Sequence, residues 1–363
     1  MSIKQETLYS IIYRDLERAI RSGELSPGKA LPSQNELAKI YQVSTTTTRR
    51  ALSELEKSGL IRRIQGKGSF VEDLGQGSDA FSHIGFVHHL NDETNSESLF
   101  NPYYVGAIEG VEQGAEKHGL EVLYQVVSDE YDRMEIWNDT AWILLDVSRE
   151  IVARLKRSNK PVVSIHSYYP DLGIPFVISD DVAGGYEVTC HLLSLGHSRI
   201  GILLPESLMN LSQEFSNRYQ GYISALNQHK VEPEPELISE GVGTSVYDGY
   251  VAALKMLDCP EPPTAIFALT DMQALGVLRA ARELGMRVPE ELSVAGYDDQ
   301  IYARLTRPAL TTVRQNFVAI GERAVDILVS EIRVKKRQNL MASLKLELVV
   351  RKSTAQAISK KRK

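Results

Sequence analysis

The sequence predicts an α/β protein in two parts: a small head of three helices and a β-hairpin, and a larger body of two lobes, each a doubly wound parallel sheet. Three observations lead there. Residues 1–72 carry three helical periodicities, then two short strands around a glycine turn. From residue 83 to about 356, short apolar strands alternate with amphipathic helices, and the alternation runs through two sets. Between the two parts, residues 73–82 are rich in Gly, Ser and Asp and read as a flexible connector. Residues 357–363 read as a basic tail.

In the head, Leu8, Ile11, Ile12, Leu16, Ala19 and Ile20 recur at helical spacing and predict a helix near 7–22. Gly23 ends it and Pro27 bars continuation. "PSQNELAKIY" predicts a second helix. Ser33 and Glu36 stand as a capping box, with Leu37 and Ile40 facing inward. After a short turn at Val43, Ser44 caps a third helix whose inner face is Thr48, Ala51, Leu52 and Leu55, and Gly59 stops it. "LIRRI" and "GSFV" then read as strands joined by "QGKG".

Three helices and a hairpin make a winged helix-turn-helix. In such a unit the first turn of the third helix enters the DNA major groove. Thr45, Thr46 and Thr47 offer hydroxyls, and methyls that pack on thymine; Arg49 and Arg50 reach phosphates or guanine edges. Lys67, between Gly66 and Gly68, suits a wing tip against the DNA backbone or minor groove. The competing reading is a helical-bundle fragment with a threonine-rich cap. Over 1–72, the stretches "GKALPSQNELAKIYQVS", "TTTTRRALSELEKSGLIRR" and "QGKGSFV" resemble the GntR-family DNA-binding domain. The resemblance implies operator contacts at Ser33, Asn35 and Thr45. The family often carries arginine at the last two positions, so it also implies an operator that differs from the usual one.

Charge fits this division. Residues 1–74 hold 12 Lys/Arg against 9 Asp/Glu, and the remaining 289 hold 29 against 38. A basic head suits a polyanion and an acidic body does not. No apolar run reaches the length of a membrane span, and the first twenty residues carry Glu6, Asp15 and Glu17 inside their apolar pattern, unlike a signal peptide. The expected location is the cytoplasm, with no membrane partner. Cys190 and Cys259 suggest neither a zinc site nor a disulfide framework.

In the body, "GYDD", "NRYQGY", "NPYYVGAIEG", "SLGHSRIGIL" and "LTTVRQNF…VVRKSTA" resemble, in order and spacing from about 82 to 355, the effector domain of the LacI family. That domain is itself similar to periplasmic sugar-binding proteins. A GntR-type head on such a body is the arrangement of bacterial arabinose repressors and related sugar regulators. The resemblance implies that Asp298 binds sugar hydroxyls and that Arg218 faces the ligand across a cleft. It also implies ligand roles for Asp271, Tyr103, Gln315, Phe317 and His166. Thr270 replaces the family's usual Asn. Independently of family, ligands in such folds bind at the carboxyl ends of the strands. A sugar needs bidentate donors and acceptors with an aromatic ring for its C–H face, and Asp, Arg, Gln, Tyr and Phe supply both.

Other signals are weaker. "GVGTS" (241–245) lacks the last glycine of a nucleotide loop, and no G-K-[ST] occurs. His88 and His89 lie adjacent on a strand and point to opposite faces, so no metal site is expected. "GHSRIG" has no nucleophile elbow. The alternative function is a sugar-processing enzyme, or a soluble sugar-binding protein with a regulatory head. An enzyme needs paired catalytic carboxylates or a cofactor loop, and neither occurs with usable spacing. The expectation is therefore a homodimeric, cofactor-free, sugar-responsive repressor. It binds a near-palindromic operator and is released by a monosaccharide such as L-arabinose or L-fucose.

Overall fold

A computed structural model describes residues 8–21, 24–26, 28–57, 60–64, 68–72, 81–89, 102–127, 134–137, 139–166, 168–334 and 341–358. The expected caps at Gly23, Pro27 and Gly59, the wing tip at Gly66 and Lys67, most of the connector and the end of the tail lie outside the described residues. The chain divides into two compact units. One covers Met1–Glu93, Ala115–Val162 and Ile327–Gln338; the other covers Thr94–Gly114, Val163–Asp326 and Asn339–Lys363.

The head has the predicted elements: α1 (Leu8–Arg21), α2 (Gln34–Ile40), α3 (Thr45–Lys57), β1 (Ile61–Ile64) and β2 (Gly68–Val71). β1 and β2 pair antiparallel, Ile61 opposite Val71 and Ile64 opposite Gly68. Ile12, Leu16, Ile20, Leu37, Leu52 and Leu55 form one buried core. Each such side chain contributes about 1.5–3 kcal/mol of burial free energy. Ser33 caps α2 as expected: its Oγ accepts from Glu36 N (3.3 Å), and the Glu36 carboxylate accepts from Ser33 N (2.7 Å). Ser44 Oγ likewise accepts from Thr47 N at 3.2 Å. One expectation fails here. Ile40 is 63% exposed. It is the last residue of a helix of less than two turns, and the inward position after Leu37 passes to Tyr41 at i+4, which packs on the core.

Among the described residues the body contains two six-stranded sheets. The first is built from β3 (His83–His89), β4 (Glu121–Val127), β5 (Thr140–Leu145), β6 (Val162–Ile165), β7 (Phe176–Ser179) and β13 (Met341–Leu344), in the order β13-β7-β6-β5-β3-β4. The second uses β8 (Ile200–Leu203), β9 (Ile238–Ser239), β10 (Ala265–Ala268), β11 (Ser293–Asp298), β12 (Thr311–Arg314) and β14 (Glu347–Val349), in the order β14-β12-β11-β10-β8-β9. In the second sheet β8 to β12 pair parallel, and only β14 runs antiparallel, against β12. β5, β6, β8 and β10 are buried along their whole length. That is why they read as continuous apolar runs and not as alternation.

The helices are α4 (Pro102–His118), α5 (Arg149–Arg157), α6 (Asp181–Ser194), α7 (Gln213–Gln228), α8 (Val246–Leu257), α9 (Asp271–Glu283), α10 (Ile301–Leu305) and α11 (Phe317–Val334). α8 starts directly after the stretch compared with a nucleotide loop. Ser245 and Asp248 form a capping box there, and Gly243 (φ +75°) makes the turn.

Among the described residues, three helix pairs cross with backbone against backbone, each through two glycines. A Cβ on Gly185 of α6 would stand 2.1 Å from the Arg218 carbonyl of α7, and one on Gly221 of α7 would stand 2.2 Å from the Val182 carbonyl of α6. Gly249 and Gly276 repeat this between α8 and α9, against the Gln273 and Val246 carbonyls. Gly110 and Gly321 repeat it between α4 and α11, against the Val318 and Ala107 carbonyls. In every pair the glycine meets the residue three before the partner glycine. Neither helix can yield to a side chain without moving its own backbone. Gly221→Ala is therefore expected to destabilise the protein by about 3 kcal/mol. The thermal midpoint should fall by roughly 5 °C or more. An unchanged midpoint in thermal unfolding would show that the crossing is not tight.

Candidate functional site

The threonine run of the head divides by burial. Thr48 is fully buried, and its Oγ1 donates toward the carbonyls of Gln34 and Thr45, each at 3.1 Å. Thr47 Oγ1 lies 2.8 Å from Ser44 Oγ in the cap. Thr45 and Thr46 are exposed, as are Asn35, Arg49 and Arg50. Gln34, which sequence reasoning passed over, ties the two helix starts together. Its amide donates to the Thr45 carbonyl (2.9 Å) and its Oε1 accepts from Arg49 Nε (3.5 Å). Arg63 of the hairpin donates to the Arg49 carbonyl at 3.2 Å. The Arg50 guanidinium stacks 4.0 Å above the Tyr9 ring of α1. Ser33 is occupied as a cap. The remaining face of short hydroxyls and two arginines suits base edges and phosphates.

A second constellation forms in the unit holding residues 163–326, at the carboxyl ends of β6, β7, β11 and β12. Arg218, on α7, is only 3% exposed. Its Nε donates to Asp181 Oδ1 (2.9 Å) and its Nη1 to the Leu269 carbonyl (2.6 Å). The guanidinium lies 3.8 Å above the Tyr297 ring. Its Nη2 stands 3.8 Å from Asp298 Oδ1. Asp298 Oδ1 accepts from Gln315 Nε2 (2.7 Å), and Gln315 Oε1 accepts from Ser179 Oγ (2.6 Å). Burial pushes the Asp298 carboxyl up to about 6, against the pull of Arg218 and the Gln315 amide.

Beside this cluster, His166 Nε2 meets Glu214 Oε1 at 3.5 Å, and Ser212 Oγ donates to the same oxygen at 2.8 Å. Burial opposes ionisation of Glu214, yet His166 and these hydrogen bonds hold its carboxyl down at about 2. His166 (φ +71°), Asp298 (φ +112°) and Asp299 (φ +54°) all adopt the left-handed region at strand ends. Such backbone persists only where the surroundings impose it. For Asp299 the imposition is visible: Arg314 and Arg351 both bond its carboxylate, and Arg304 stands 3.4 Å away.

Of the sequence-predicted residues, Asp298, Arg218, Gln315 and His166 therefore come together. Asp271 does not join them as a free ligand group. It is fully buried, Oδ1 accepting from Thr312 Oγ1 (2.6 Å) and Oδ2 from Gln300 N (2.8 Å). Burial and the nearby Asp298 charge hold its carboxyl well above the usual range. It supports the turn that carries Asp298. Thr270 caps α9 through Gln273 N. Phe317 opens α11, half-buried, with its Cβ against Gly106 of α4. Tyr103 falls in the first turn of α4, and its side chain lies outside the described residues. Glu214, Ser179, Asp181 and Tyr297 were missed. Glu214 carried a signal, standing four residues before Arg218 on one helix face. Among the described residues, no group of three His, Cys, Asp or Glu stands where it could hold a metal ion, and no helix is long and apolar enough to cross a membrane.

Residues 8–71 match the model of bacterial regulatory proteins of the gntR family, and 189–354 match the periplasmic binding protein-like domain. The arabinose metabolism transcriptional repressor of Halalkalibacterium halodurans is 31% identical over 98% of this chain and 99% of its own. The HTH-type transcriptional repressor PurR of Mannheimia succiniciproducens is 31% identical over 88% and 97%. The crystal structure of a LacI family transcriptional regulator from Enterococcus faecium with bound ribose superposes with a TM-score of 0.63 at 25% identity, over 76% of this chain and 99% of that one.

The titration of Asp298 has a measurable consequence. Its folded-state value of about 6 lies above its ordinary 3.8. Its contribution to stability is therefore full below about 4 and is lost as pH rises through about 6. Asp298→Asn cannot ionise. In the ligand-free protein it should gain on wild type between pH 4.5 and 8, by on the order of 2–3 kcal/mol. Thermal unfolding at the two pH values checks this, and a pH-independent difference would contradict it.

Proposed function

The chain belongs to the family of transcriptional repressors that join a gntR-type head to a periplasmic-binding-protein-like body, and on that premise we propose that it is a homodimeric repressor released from its operator by a neutral monosaccharide. Its relatives include an arabinose metabolism transcriptional repressor and a LacI family transcriptional regulator with bound ribose. The observation that carries the finer reading is the convergence of Arg218, Asp298, Gln315, His166 and Glu214 at strand ends. These supply donors and acceptors in pairs, as vicinal hydroxyls require. Arg218 and the His166 ring already face the carboxylates Asp181, Asp298 and Glu214. That inventory favours an uncharged ligand over a phosphorylated one. A pentose or 6-deoxyhexose such as L-arabinose or L-fucose is the first choice. Tyr103 and Phe317 are proposed to flank the sugar, with Asp271 in support.

Operator contact is proposed for Asn35, Thr45, Thr46, Thr47, Arg49 and Arg50, with Ser33 fixing the start of α2 and Gly66 and Lys67 at the wing tip. Ligand shifts the population toward the state that binds DNA less well, and DNA weakens ligand binding by the same factor. A second copy of the chain is proposed to cover a groove floored by Leu278, Met286 and Val288 and rimmed by Arg279, Arg282 and Arg307. The neighbouring α10 exposes Ile301, Tyr302 and Leu305, an apolar surface that a free monomer has no reason to keep.

Operator affinity measured across a panel of sugars tests the whole reading, and no change with any sugar would sink it. Asp298→Ala should lose at least tenfold of the sugar response, about 1.4 kcal/mol or more, and retain operator binding. Arg49→Ala should do the reverse. Leu278→Lys should shift the protein from dimer to monomer in sedimentation velocity; an unaltered dimer would place the interface elsewhere.

A further inference from the structure

We propose that Asp181 is a positioning residue of the effector site, acting through Arg218: it grips the guanidinium by its Nε edge and holds it short of Asp298, so that both groups stay open to a ligand. The proposal rests on the reading that Arg218 and Asp298 bind the effector. Asp181 is the first residue of α6 and is 4% exposed. Its Oδ1 accepts from Arg218 Nε at 2.9 Å and from the Tyr297 hydroxyl at 2.8 Å. Together with the Leu269 carbonyl, these contacts use two of the five guanidinium N–H groups. The Nη2 group is then left 3.8 Å from Asp298 Oδ1, too far for a hydrogen bond. The separation leaves the Nη2 donor and the carboxylate to a ligand rather than to each other.

The backbone enforces this geometry. The crossing of α6 and α7 at Gly185 and Gly221 brings the start of α6 onto the helix that carries Arg218. Gly184 allows the Tyr297 hydroxyl to approach α6, since a Cβ there would stand 2.2 Å from it. A substituent at any of these three glycines would move Asp181 off Arg218.

Asp181 also differs from a plain structural partner in its charge. The groups that act on the Asp298 carboxyl include Arg218 from α7, Gln315 after β12, Asp181 from α6, His166 after β6, Asp271 from α9 and the adjacent Tyr297. Arg218, Gln315 and His166 favour its ionised form, while Asp181 opposes it. Asp271 and Asp298 oppose each other's charge. Removing the Asp181 charge should therefore lower the pH at which Asp298 ionises, and free the guanidinium to close on Asp298.

The test uses full-length Asp181→Asn, which keeps an acceptor for Nε and loses the charge, and Tyr297→Phe, which removes one donor to Asp181. Sugar affinity is measured by calorimetry from pH 5 to 8 with L-arabinose and L-fucose. In Asp181→Asn the affinity at pH 7.5 should fall at least tenfold, and the acid midpoint of binding should move to lower pH. Tyr297→Phe should weaken binding by a smaller factor. Unchanged affinity, or a fall in affinity with an unmoved midpoint, would overturn the positioning role. A ligand-free readout separates this from failure of the effector reading: the pH at which the stabilisation by Asp298→Asn levels off should drop, and its size shrink, when Asp181→Asn is added. If wild type binds neither sugar, the choice of effector fails. The ligand-free cycle then decides whether Asp181 sets the charge state of Asp298, and an unmoved pH overturns it.

Discussion

The body depends on three places where two helices touch backbone to backbone. α6 with α7, α8 with α9, and α4 with α11 each cross through a pair of glycines whose missing side chains would lie 2.0–2.3 Å from a carbonyl of the partner. Glycine in a helix interior costs about 1 kcal/mol relative to alanine. Six such residues are an expense that packing must offset. In return, a helix that follows a strand sits at one fixed depth over its sheet. Its first turn is then held at the strand's carboxyl end. Arg218 and Asp181 face each other because two of these glycines do.

Charge then does what shape alone does not. An arginine this deeply buried is stable only with compensating carboxylates, and breaking one such pair costs about 3–5 kcal/mol. Arg218 has Asp181 in hydrogen-bond contact and Asp298 just beyond it. The two acids of the neighbouring pairs end up far apart in acidity. Glu214, against His166, is held at about 2, while burial raises Asp298 to about 6 despite the pull of Arg218. Side chains of one chemical type are thus divided into a fixed ion and a group near its titration point by their surroundings.

Much of this was legible in the chain. The caps at Ser33 and Ser44, the buried parallel strands and the hairpin all follow from local pattern, because local chemistry decides them. Ile40 was misread because its helix ends too soon for its i+3 position to face inward. Asp271 was legible as an important acid at a strand end, but its burial was not, since both of its partners, Thr312 and Gln300, come from distant sequence. Asp181 was invisible for the same reason. It follows a strand and Asp180, where an acid reads as a helix cap, and Asp180 is indeed the cap. Only the folded chain shows which of two adjacent acids turns inward.

The threonine run at the start of α3 obeys a related logic. Four β-branched residues are a poor way to begin a helix. One of them, Thr48, is wholly buried and spends its hydroxyl on the Gln34 and Thr45 carbonyls, which fixes α3 against α2. Thr47 is drawn into the cap. Helix formation is therefore secured by two threonines, leaving Thr45 and Thr46 free of structural duty. Their short side chains cannot reach far, so a duplex must approach the helix start closely for them to touch base edges. Arg49 and Arg50 lie one turn further on, with Arg50 steadied on Tyr9. A close approach read by methyls and hydroxyls, flanked by cations, favours a site where thymine methyls line the groove over one that presents guanine to a long arginine.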